Sequence, residues 1–345
     1  PNAPAQPRAI VKPVCADGCA AYWRRACKAL LLSGPLNLLL FACPLAFFGQ
    51  ANDYSDAFVF TTSLLAIAPF AERLSFVTEQ LAMHTSQTLG GLLNASFGNV
   101  TELIVSLFAL KDGLLRIVQV SLLGSILSNL LLVLGCAFFV GGIKYPMQKF
   151  NAQAQSVSSG LLLLATMALA FPAVLDATHE QLDDPGSSLL ISRLLSVVLL
   201  LTYACYLIFQ LHSHTHLFDS EEEEDDDDDE KVLGAWGAVF WLSVITVFIG
   251  YLSEYMVAAI QGAAEQMNAP DLFLGTIVIP IIGNAAEHAA AIIFAYKNKM
   301  QLSIGIAVGS ATQIALFVLP ACVCIAWVFD VPLSLNFHAF ETASL

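Results

Sequence analysis

Nine stretches of this chain are apolar for about the length, some 20 residues, that a helix needs to cross a bilayer. They lie at roughly 29–49, 55–70, 80–110, 114–142, 156–176, 189–211, 232–260, 271–296 and 299–329. No other feature limits the fold as strongly. The 345 residues are 57% hydrophobic and 12% charged, whereas about a quarter of a soluble domain is charged. The expected fold class is an all-α polytopic membrane protein, and the composition argues against a soluble enzyme.

Charge sets the expected orientation. The formal charge is −14, but DSEEEEDDDDDE (219–230) holds eleven of the 28 acids. The acidity is local, and no nucleic-acid partner is expected. Cytoplasmic loops of membrane proteins carry the excess of Lys and Arg. With a cytosolic N-terminus, alternation puts Arg8, Lys12, Arg24, Arg25, Lys28, Arg73, Lys144, Lys149, Lys231, Lys297 and Lys299 on that side, eleven of the 14 basic residues. Lys111, Arg116 and Arg193 fall opposite, beside the acidic loops ANDYSD (51–56) and DATHEQLDDPG (176–186). The acidic run is then cytosolic. The eight cysteines form no framework. Most lie in apolar runs, where cysteine packs as a small hydrophobe, and Cys15, Cys19 and Cys27 lack zinc-ribbon spacing.

The chain repeats itself. Gly98-Asn99-x-x-Glu102 recurs as Gly283-Asn284-x-x-Glu287, an offset of 185 residues. The same offset, without a gap, lays Gly124-Ser125 on Gly309-Ser310 and Ser128 on Gln313. An odd number of spans separates the two starts, so the copies have opposite topology. Inverted repeats with polar points near the midplane characterise secondary transporters, whose substrate site lies at the repeat interface.

Residues three apart share a helix face, so Asn99 and Glu102 point the same way, as do Asn284 and Glu287. An ionised glutamate at the bilayer centre costs at least about 2.5–3.5 kcal/mol. No Lys or Arg in these spans pairs with either glutamate, so a proton or a cation must neutralise them. Two carboxylates balance one dication. Asparagine, serine and backbone oxygens complete a hard shell of the kind Ca²⁺ accepts, with roughly 6–8 ligands. Protonated, the same carboxylates hold a dication poorly. One site can then carry either load, which is the physical basis of cation/proton antiport. The competing reading, two protonated glutamates acting as helix glue, leaves the symmetry unexplained.

LGGLLNASFGNVTELIVS (89–106), LLGSILSNLLLVLG (122–135), IPIIGNAAEHAAAI (279–292), NKMQLSIGIAVGSATQIALFVLP (298–320) and LNFHAFETA (335–343) resemble the cation/proton exchanger family. That family is a branch of the cation/Ca²⁺ antiporter superfamily, and its vacuolar Ca²⁺/H⁺ exchangers are the nearest in kind. The resemblance implies an extra N-terminal helix (29–49) after a cytosolic tail (1–28). It implies a first repeat (55–212), a cytosolic His/acidic linker (213–231), a second repeat (232–329) and a tail or loop (330–345). Eleven helices are implied and nine spans counted, so the second repeat is expected to be cut short. Further implications are Ca²⁺ and H⁺ as transported substrates with no cofactor, and residence in a vacuolar or other acidic-organelle membrane. Carried over residue by residue, Glu102 and Glu287 hold Ca²⁺ or protons. Asn99, Asn284, Ser125, Ser128, Ser310 and Gln313 line the site. His288 modulates proton coupling, and Glu79 and Glu254 line the cytosolic approach.

Some alternatives stay open. The acids Glu221, Glu222, Glu223, Glu224, Asp225, Asp226, Asp227, Asp228, Asp229 and Glu230 form either a regulatory Ca²⁺-collecting linker or a solvated charged loop. HSHTH (212–216) is a zinc or pH site or, more simply, a solvated helix end. Glu79 and Glu254 also fit solvated helix ends. The same fold serves Mn²⁺/H⁺ or Na⁺/Ca²⁺ exchange, and a cation channel is the reading from another class. The oligomeric state is left open.

Overall fold

A computed structural model describes residues 19–32, 35–177, 187–215 and 231–345. The acidic run, the tail before Cys19 and His216 lie outside these residues. Among the described residues every regular element is helical. They are α1 (Cys19–Leu32), a 3₁₀ turn into α2 (Ala42–Ala51), α3 (Asp56–Ala82), α4 (Gln87–Phe97), α5 (Val100–Lys111), α6 (Leu115–Leu127), α7 (Leu134–Lys144), α8 (Ala152–Ala177) and α9 (Ser187–Ile208). After the linker come α10 (Ala235–Met267), α11 (Asp271–Phe273), α12 (Ile279–Gly283), α13 (Ala285–Tyr296), α14 (Met300–Gln313), α15 (Leu319–Val328) and α16 (Ala339–Ser344). π-Helical turns join α6 to α7, α11 to α12 and α14 to α15. Among the described residues six continuous helical stretches are long and apolar enough to span a membrane, or up to eight if each of two bent pairs is one span.

The structure redraws three sequence expectations. The stretch at 80–110 is not one helix but α4 and α5, broken at Gly98-Asn99. The segment read as a tail already contains α1, which meets the stretch 36–51 at a 94° bend. The span expected at 55–70 runs on to Ala82, so Arg73 is inside α3 rather than in a loop. Its buried guanidinium pairs with Glu72 at 3.0 Å and donates to the Ala29 carbonyl at 3.4 Å. Local hydropathy could not register those partners.

The repeat holds at the level of backbone breaks. α5 and α13 begin at Val100 and Ala285, α6 and α14 at Leu115 and Met300, and α3 and α10 end at Ala82 and Met267, all in the register of Gly98 and Gly283. α3 and α10 pack side by side along their length. The Ala57 amide donates to Gln266 Oε1 at one end, and the Val232 amide to Gln80 Oε1 at the other. Equivalent helices of the two copies are therefore antiparallel, as an inverted repeat requires. Interfaces use small residues, among them the buried Ala46, Ala66, Ala109, Ala263, Ala295 and Ala311, which let helices approach closely in a membrane. Leu131, Phe139, Ile143, Leu163, Met167 and Val328 are exposed, as a lipid-facing perimeter demands.

Gln80 is a fastening point. Its buried side chain accepts from the Val232 and Leu233 amides at 2.8 and 3.1 Å. Gln80→Leu strands two backbone donors, each costing about 1–3 kcal/mol when buried. The purified variant is expected to melt several degrees lower, and an unchanged melting temperature would show that water replaces the lost acceptor.

Candidate cation-binding site

Both Gly-Asn pairs fall where a helix breaks. Asn99 and Asn284 are the N-cap residues of α5 and α13, with backbone angles of φ −117°, ψ 25° and φ −99°, ψ 16°. Asparagine favours this position because its side chain can cap the first turn, yet neither side chain does so here. Each reaches instead into the opposite repeat. Asn99 Nδ2 donates to Gln313 Oε1 at 2.6 Å, and its Oδ1 accepts from Ser310 Oγ at 3.0 Å. Asn284 Nδ2 donates to Ser125 Oγ at 3.2 Å. The Gly-Asn of one copy thus meets the Gly-Ser of the other, in both directions.

Glu102 and Glu287 occupy the third residue of α5 and α13, where the helix N-terminus favours negative charge. They lie within electrostatic reach of one another. Their surroundings differ. Glu102 accepts from its own backbone N–H and from the Asn284 side chain. Glu287 Oε2 is buried with no hydrogen-bond donor. A cavity of ≈ 10 Å³ lies between them, bounded also by Ser75, Phe97, Thr101 and Asn284. That is about the room one water-sized particle occupies. A second cavity of ≈ 20 Å³ also touches Glu102 and is walled mostly by apolar side chains, including Leu64, Val105 and Met256. Among the described residues no group of three or more His, Cys, Asp or Glu could hold a resident metal. Two carboxyl groups and the neutral oxygens of Asn99, Asn284 and Ser125 are gathered around this space.

The sequence-predicted residues do not all converge. Asn99, Ser310 and Gln313 form one bonded cluster, and Asn284, Ser125 and Glu102 another. Ser128 instead pairs with His288, Oγ to Nε2 at 3.1 Å. Glu79 and Glu254 sit at different levels of the bundle. α3 and α10 are antiparallel, so Glu79 is level with the start of α10. Glu254 is toward the other end, where it pairs with Lys111 at 2.8 Å. Asn129 was missed. It is fully buried, and its Nδ2 donates to the Ser125 carbonyl at 3.0 Å and to Ser310 Oγ at 3.3 Å. The repeat search passed over it because its mate is the apolar Ile314. An amide in the middle of an apolar run was the signal available.

The sodium/calcium exchanger protein family matches residues 55–212 and 237–345. The chain is 49% identical over 336 residues to vacuolar cation/proton exchanger 2 of Oryza sativa subsp. japonica, covering 94% of this chain and 76% of that protein. It is 49% identical over 327 residues to vacuolar cation/proton exchanger 5 of Arabidopsis thaliana, covering 92% and 74%. The structure of native YfkE superposes with a TM-score of 0.74 at 38% identity, over 89% of this chain and 87% of that one. The crystal structure of the H⁺/Ca²⁺ exchanger CAX superposes at 0.67 over 94% and 80%; at 15% identity it speaks to the fold alone. Two inverted Gly-Asn-x-x-Glu helices facing one small cavity are therefore found in a chain that belongs to the sodium/calcium exchanger family, as an integral membrane cation/proton exchanger and not an enzyme.

Proposed function

We propose that the chain exchanges cytosolic Ca²⁺ for protons from an acidic store, such as a vacuole, by alternating access around Glu102 and Glu287. One observation carries this reading. Two carboxylates from inverted helices face one cavity, and one of their oxygens, Glu287 Oε2, is buried without a donor. A buried acceptor without a partner is costly, and the two loads that satisfy it are a proton and a cation. A dication balances both carboxylates together, and Asn284, Asn99 and Ser125 supply further oxygens once their mutual hydrogen bonds open. Ca²⁺ as the dication is supported by the solved relative described as a Ca²⁺/H⁺ antiporter, YfkE, at 38% identity. The excess of Lys and Arg in the loops supports a cytosolic side for the acidic linker and the N-terminal segment, and a run of carboxylates on that side would collect Ca²⁺ before entry.

The test is uptake into proteoliposomes with an imposed pH gradient. Ca²⁺ uptake is expected to require the gradient and to collapse with a protonophore. Uptake that ignores protons and follows a Na⁺ gradient would refute the proposal.

Asn129 has a place in this cycle. Its amide donates to Ser310, which in turn donates to Asn99 Oδ1 and so occupies an oxygen that a cation would use. Asn129→Leu removes the donor that orders this chain. Ca²⁺ uptake is expected to fall by roughly tenfold through a higher KM, the weight of about 1.4 kcal/mol. An unchanged KM would mean that Ser310 is held by α14 alone.

A further inference from the structure

The register that relates the two Gly-Asn-x-x-Glu helices extends further, to the mouths of the bundle, and there the two copies differ. Where α8 and α14 begin, a cavity of ≈ 510 Å³ carries amides and a hydroxyl on its wall, from Asn94, Asn151, Gln155, Ser158, Gln210 and Gln301, the rest of the wall being apolar. Asn94 precedes Gly98 by one helical turn, and Gly305, also on its wall, precedes Gly309 by one. Carried back by the repeat offset, Gln301, Ile304 and Ile306 become Arg116, Gln119 and Ser121, while Phe150 and Asn151 become Leu335 and Asn336.

At that opposite mouth the equivalent space is filled. Ile117, Gln119, Val120, Ser121, Ile279 and Leu335 are all buried there. Polar contacts hold the filling in place. Arg116 Nη2 is ion-paired with Glu341 Oε1, and Arg116 Nη1 donates to Gln119 Oε1 at 3.1 Å. Gln119 Nε2 donates to the Ser334 carbonyl at 2.8 Å. Glu341 Oε2 accepts from the His338 amide at 3.1 Å. The Leu335 amide donates to Ser192 Oγ on α9 at 3.1 Å. The segment 333–341 is thereby strapped across the start of α6, the helix that carries Ser125.

We propose that the amide-lined cavity is the open vestibule through which a hydrated cation reaches the site, and that the Arg116–Glu341 pair is the latch that keeps the equivalent vestibule at the opposite mouth closed. The identity of the latch goes beyond the exchange reading, although its role as a gate rests on it. Uncharged amides suit a vestibule, because they solvate a cation without trapping it. An ion pair suits a latch, because its partners lie on separate elements, α6 and the strap, and neither touches the carboxylates of the site.

The test reads opening rather than transport, so its failure is distinct from failure of the exchange reading. Ser121→Cys places a thiol in the closed mouth, and its rate of reaction with a membrane-impermeant maleimide is measured in the full chain in detergent, against the same chain without the reporter. Arg116→Gln and Glu341→Gln are each expected to raise that rate by about fivefold, the weight of one half-buried ion pair in an opening equilibrium. The exchange Arg116→Glu with Glu341→Arg is expected to restore protection. Cys322, fully buried in α15, is the internal control. Unchanged reactivity in both single variants, a charge exchange that labels as fast as they do, or labelling of Cys322 alongside the reporter would each overturn the latch.

Discussion

Glu102→Gln and Glu287→Gln are each expected to lower pH-gradient-driven Ca²⁺ uptake by at least about a hundredfold, yet to affect stability in opposite directions. The first expectation follows from charge. Removing one partner from a buried charged assembly costs about 3–5 kcal/mol, which corresponds to roughly 10²–10⁴ in affinity. The second follows from the asymmetry of donors. Glu102 already accepts from its own amide and from Asn284. A glutamine there turns one acceptor into a donor aimed at donors, and a loss of about 1–3 kcal/mol is expected. Glu287 Oε2 has no donor and faces Glu102, so a neutral amide relieves repulsion at little cost. In cation-free detergent at neutral pH, Glu287→Gln should melt at or above the parent and Glu102→Gln below it. Retention of a tenth of the uptake by either variant would mean that a single carboxylate carries the dication.

This asymmetry marks the limit of what the sequence could reveal. The Gly-Asn breaks were legible because they are local. A glycine and a helix-capping residue inside an apolar run predict an interruption wherever they occur, and the register of Val100 with Ala285 and of Leu115 with Met300 follows from that. The pairing of Glu102 with Glu287 was legible because an unpaired intramembrane acid must find a partner, and the repeat offered only one. Arg73 and Asn129 were misread or missed for a shared reason. Arg73 donates to the Ala29 carbonyl and Asn129 to Ser310 Oγ. Both acceptors are remote in sequence, so helical periodicity could not supply them. Nor does symmetry of sequence say which copy of an interface is closed.

That last point can be tested at two glycines that the repeat makes equivalent. A Cβ at Gly124 would fall on the Thr276 carbonyl oxygen and at 2.9 Å from Pro280 Cγ, whereas a Cβ at Gly309 meets nothing within 4 Å. α6 is therefore closed on the lead-in to α12, while the equivalent face of α14 stands open, on the side of the amide-lined vestibule. Gly124→Ala must push α6 off a backbone carbonyl. Overpacking of this kind costs about 1–3 kcal/mol, and a lower melting temperature with poor recovery of folded protein is expected. Gly309→Ala has room in this state and gains helix propensity of about 1 kcal/mol, so its melting temperature should rise. Its transport should nonetheless fall severely. If the two copies exchange conformations during alternation, Gly309 must take up the tight contact that Gly124 now makes, and a methyl group forbids it. A Gly309→Ala protein that is more stable and nearly inactive would show that the open face of α14 closes in every cycle. One that transports at the parent rate would show that the two mouths alternate without exchanging these contacts.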